Sequence, residues 1–102
     1  MPTYRVSPNA LIDIEGFRQY LIRKNGEQVA DEFLESIYQK FSYLTQFPNV
    51  ARKRIDIAED AYSYPLVRYK RIILFRKISG DILVVRVLGG RQEPNRHIGG
   101  EF

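Results

Sequence analysis

The chain has 102 residues, is 44% hydrophobic and 13% aromatic, and carries a formal net charge of +4. That is the size of one small domain, 1–102, with apolar material for a single core and a polar tail from about residue 92. There is no cysteine, which excludes disulfides and thiolate metal sites. No apolar run approaches a membrane span and the first residues do not read as a signal peptide, so a cytoplasmic protein without membrane contact is expected.

Tyr4-Arg5-Val6-Ser7 is a short strand candidate. Ser7 as N-cap and Pro8 at the first helical position start a helix. Ala10, Ile14, Phe17 and Leu21 follow at helical spacing, with Asp13 and Glu15 toward the positive end of its dipole. Gly26, with access to positive φ, closes the helix after Arg23 and Lys24. A second helix begins at once. Its apolar stripe is Ala30, Phe33, Leu34, Ile37, Phe41 and Leu44, and Pro48 ends it. So short a link predicts an antiparallel helical hairpin.

The basic run Arg52-Lys53-Arg54 precedes a weak strand candidate at Ile55-Asp56-Ile57. After a loop at Glu59-Asp60-Ala61, Tyr64–Tyr69 leads into two long strands that flank a turn at Ser79-Gly80-Asp81. A two-residue turn at either Ser79-Gly80 or Gly80-Asp81 puts Ile72 and Leu74 on the face of Leu83, Val85 and Val87, and that all-apolar face is the expected core face, whereas a three-residue turn would swap the first strand's faces. Arg71, Lys77 and Arg86 then share the other face with Ile73, Phe75 and Val84. Elements in this order predict an α+β fold, in which an N-terminal strand and an antiparallel helical hairpin accompany a three- to four-stranded antiparallel sheet.

The charge is uneven. Residues 64–102 hold eight Lys/Arg against three Asp/Glu, whereas residues 1–63 hold eight against nine. The cationic excess belongs to the hairpin and tail and favours an anionic partner. One histidine and scattered carboxylates make no metal site, and no cofactor is expected. Gly89-Gly90 is no phosphate loop, because no helix follows it. Tyr62, Tyr64 and Tyr69 have the chemistry to stack on bases, and Arg52-Lys53-Arg54 to meet phosphate, although packing and solvation are the commoner fates of such residues.

The ordered set of Val6-Ser7-Pro8-Asn9-Ala10 with Asp13-Ile14, Gln28…Ala30…Phe33…Ile37, Leu44-Thr45-Gln46-Phe47-Pro48, Ile73-Leu74-Phe75-Arg76 and Ile82 through Glu93 resembles the ParE/RelE superfamily of type II toxin–antitoxin toxins. It is most similar to the ParE branch, whose last strand commonly ends Val-Leu-His-Gly-Arg-Arg/Gln-Asp. Here Gly89 stands at the usual His position and Glu93 at the usual Asp position. The resemblance implies a toxin that binds and inhibits DNA gyrase, has no catalytic residues and is neutralised by a cognate antitoxin. An acidic antitoxin segment is expected on Arg71, Phe75, Lys77, Val84 and Arg86, and target contact at Gly89, Gly90 and Arg91. The alternative is a RelE-like ribosome-dependent, metal-independent messenger ribonuclease that uses Arg71, Arg86, Arg91 and His97. No tyrosine follows Tyr69 to serve as the tail tyrosine of that branch.

Overall fold

The helical hairpin forms where capping chemistry and apolar spacing predict it. A computed structural model of the chain describes residues 3–89 and 101–102. After strand β1, Tyr4–Val6, helix α1 spans Pro8–Asn25 and helix α2 spans Glu27–Gln46. Ser7 caps α1, its Oγ accepting a hydrogen bond from the Ala10 amide at 3.0 Å. Gly26 ends α1 and starts α2 at φ +92°, a value that favours glycine. Its amide donates back to the Leu21 and Ile22 carbonyls.

The remaining strands are β2 at Arg52–Lys53, β3 at Ala61–Leu66, β4 at Arg71–Ile78 and β5 at Asp81–Gly89. They make a five-stranded sheet in the order β1-β5-β4-β3-β2. Neighbours from β5 to β2 are antiparallel, while β1 joins β5 in parallel. The β4–β5 turn is the two-residue Ser79-Gly80, with φ of 43° and 89° and Ile78 opposite Asp81. Both central residues at positive φ match the twist of a tight hairpin. The weak strand candidate is displaced: Arg52–Lys53 pairs with Ser63 and Tyr62, and Ile55–Ile57 lies in a turn. Arg54 brackets that turn, bonding Asp56 through Nε and Nη2.

The core lies between the helices and one sheet face. Phe33, Ile37, Phe41 and Leu44 of α2 and Ala10, Ile14 and Leu21 of α1 meet Ile73, Phe75, Ile82, Val84 and Val87. This corrects the face assignment made from alternation. Ile72, Leu74 and Leu88 lie on the far face, where Ile57 and Phe102 pack on them. Two things defeated the alternation. Both faces of the hairpin are apolar at their centre, so a period of two does not tell them apart. A bulge also intervenes: Phe75 pairs with Val84 but Leu74 with Arg86, leaving Val85 without a partner in the register. Beyond it every β5 side chain changes face. Val87 joins the core, and Arg86 stands opposite Leu74 on the far face instead of sharing a face with Arg71.

Candidate functional site

Where β4 begins, the chain makes a 3-10 turn at Val67–Tyr69 and passes through Lys70 at φ 54°. That positive φ is unusual for a residue with a side chain and reverses the strand sharply. The turn faces α1, and between them lies a cleft of about 760 Å³. Phe17, Tyr20 and Ile12 of α1 form one wall, Arg68, Lys70 and Arg71 the other, with Val87 beneath.

Arg71 dominates this cleft. Its guanidinium carbon lies 4.1 Å from the centroid of the Phe17 ring, a cation–π contact. Its Nε donates to the Tyr69 carbonyl at 3.3 Å. Burial pushes its pKa down, opposed by Tyr20 and Asp13, yet an arginine stays charged. No carboxylate pairs with it among the described residues. The guanidinium also rests on Gly89: a Cβ there would meet Arg71 Nη1 at 3.1 Å. Gly89 is therefore a space requirement. It is the last residue of β5, paired with Arg71, and buried.

Arg86 has a different role from the one the sequence suggests. Its Nε and Nη2 donate to the two carboxylate oxygens of Asp13, at 2.7 and 2.9 Å, and its Nη1 donates to Glu101 at 2.8 Å. These bonds raise its pKa, those from Asp13 most. Asp13 also accepts from the Val87 amide at 3.0 Å. β1 pairs with β5 only from Ile82 to Val84, so Asp13 satisfies the strand edge where β1 has ended. Glu101 in turn accepts from Asn9 at 2.6 Å. Sequence reading assigned Asp13 to the helix dipole and did not anticipate Glu101; no local signal marks a pairing 73 residues apart.

The expected antitoxin residues are thus dispersed. Phe75 and Val84 are fully buried in the core. Lys77 stands at the far end of β4, over the Tyr62 ring at 4.3 Å and bonded to Asn49. Gly90, Arg91 and His97 lie outside the described residues. Three apolar residues that sequence reading left aside, Leu11, Ile12 and Tyr20, are exposed on α1, at 47%, 68% and 45%. Among the described residues no group of three or more His, Cys, Asp or Glu is placed to hold a metal ion, and no helix is long and apolar enough to cross a membrane.

The family model for the ParE toxin of the type II toxin–antitoxin system, parDE, matches residues 4–94. The chain belongs to this ParE toxin family. A chain of the chromosomal ParDE TA system from P. aeruginosa has the same fold, with a TM-score of 0.74 at 18% identity, over 87% of this chain and 96% of that one. No curated protein matches the sequence. In this ParE-family chain the Arg71 guanidinium packs against Gly89 at the end of β5.

Proposed function

We propose that this toxin acts by binding, that it inhibits DNA gyrase through contact in the cytoplasm, and that an acidic segment of a cognate antitoxin neutralises it at the α1 cleft. The observation that carries this reading is the commitment of Arg86. A ribonuclease of the RelE kind needs cations free to hold a phosphate and to stabilise its charge as it develops. Arg86 instead has three donors engaged by Asp13 and Glu101, and the bulge separates it from Arg71. Arg71 forms no ion pair among the described residues, which suits a docked carboxylate. Exposed Ile12 and Tyr20 beside it suit the apolar side chains of a segment that folds on binding.

Induction of the chain alone should arrest growth, and the purified toxin should inhibit gyrase supercoiling while leaving ribosome-bound message uncut. Arg91→Ala should weaken that inhibition while antitoxin binding persists. Message cleavage with normal supercoiling would instead support the ribonuclease alternative.

A further inference from the structure

A second surface runs along the β3–β2 side of the sheet and reaches the end of β4 that lies away from the cleft. Fold topology gathers it from four elements. β2 sets Lys53 beside Tyr62 of β3. Lys77, at the end of β4, holds its ammonium 4.3 Å from the centre of the Tyr62 ring. Lys40 of α2 places its ammonium 4.8 Å from the Tyr43 ring and 5.1 Å from the Tyr64 ring. Phe47, just past α2, packs on Tyr43 at 5.2 Å between centroids and is 52% exposed.

Among the described residues, none of its lysines, Lys40, Lys53 and Lys77, forms an ion pair. Lys40 and Lys77 rest on ring faces, and the one polar partner of Lys77 is the Asn49 amide oxygen. Aromatic rings with ammonium groups a few ångströms away offer a single strand both stacking surface for its bases and cations for its phosphates. A ring accepts the base, and a lysine leaves its weak cation–π contact for the phosphate. An acidic peptide would supply carboxylates but nothing for the successive ring faces.

We infer that this α2–β2–β3 face binds single-stranded nucleic acid, by lysine contacts to phosphates and by stacking on Phe47 and its neighbouring tyrosines. The inference is independent of gyrase inhibition and of antitoxin docking.

Fluorescence anisotropy of the full chain with a labelled oligothymidine tests it. Neutralising three to four phosphates gives log Kd a slope near 2 to 3 against log salt concentration. Lys53→Ala with Lys77→Ala should lower that slope by about 1 to 1.5. Phe47→Ala should weaken binding at least about fivefold with the slope unchanged, as expected of lost stacking. Lys70→Ala at the cleft is the control and should change neither. Three results would overturn the inference: no binding at low salt, equal losses from Lys70→Ala and from Lys53→Ala with Lys77→Ala, or duplex bound as tightly as the single strand. Circular dichroism of each variant separates lost contact from lost fold.

Discussion

Two side chains, Arg71 and Asp13, explain most of the local chemistry around the cleft. The Arg71 guanidinium touches Phe17 and leaves only 3.1 Å to a Cβ at Gly89. Gly89→Ala should therefore push it aside at a cost of about 1 kcal/mol, at the low end for overpacking. In an Arg71→Ala background the same substitution should cost almost nothing. A urea-denaturation double-mutant cycle measures this coupling, and its absence would show that Arg71 does not explain the glycine. Asp13 accepts from both Arg86 and the Val87 amide while little exposed. Asp13→Ala leaves the Val87 amide and two of the three engaged Arg86 donors without their acceptor, although Arg86 keeps Glu101, and should cost about 2–4 kcal/mol. Asp13→Asn keeps an acceptor for the amide and should recover part of that loss. Equal loss in the two variants would mean that the charge, and not the strand edge, is what matters.

At the scale of elements, the junction of β1, α1 and β5 decides which face each β5 residue presents. Ser7 works in both directions there. Its Oγ accepts from the Ala10 amide and donates to the Val85 carbonyl at 2.7 Å, and Val85 is the residue left unpaired by the bulge. The helix cap and the bulge therefore stabilise each other. Ser7→Ala should cost about 1–2 kcal/mol, more than an isolated peptide cap. Hydrogen exchange should show faster opening of the Val87 amide, which lies just beyond the bulge. A loss confined to the first turn of α1 would separate the two features. Periodicity could identify α1, α2, β4 and β5, since each is long and strongly patterned. It could not locate β2, because a two-residue edge strand has no period, and Arg52–Lys53 reads as a solvated loop. Pro65 likewise reads as a strand start, yet it sits late in β3. β2 pairs only with Tyr62 and Ser63, so Pro65 withdraws no donor from that ladder.

For the molecule as a whole, the charge and apolar surface of the α1 cleft set the expected partner. Ile12→Asp should leave the melting temperature nearly unchanged, because the side chain is 68% exposed, and should weaken antitoxin binding by tenfold or more, about 1.4 kcal/mol. Arg71→Ala should weaken it too, with a smaller salt dependence than the parent shows. Isothermal titration at two salt concentrations measures both, and unchanged affinity in both variants would place the antitoxin on another surface.

The sequence by itself determined what depends on near neighbours. Ser7-Pro8 and Gly26 mark helix ends because capping is settled within a few residues, the apolar stripes mark two amphipathic helices, and Ser79-Gly80-Asp81 marks a hairpin turn, whose two central residues only the structure identifies as Ser79 and Gly80. The ordered motifs also carried the resemblance to the toxin family that the match over residues 4–94 bears out. Only tertiary structure decided which hairpin face is the core, because both are apolar and the deciding bulge rests on a contact between Ser7 and Val85, 78 residues apart. Tertiary structure also separated the cations that charge counting had grouped. Arg86 is neutralised by Asp13 and Glu101, Lys77 lies with the tyrosines at the far end of β4, and Arg71 faces the cleft, since charge pairing depends on distance in space and not on order along the chain.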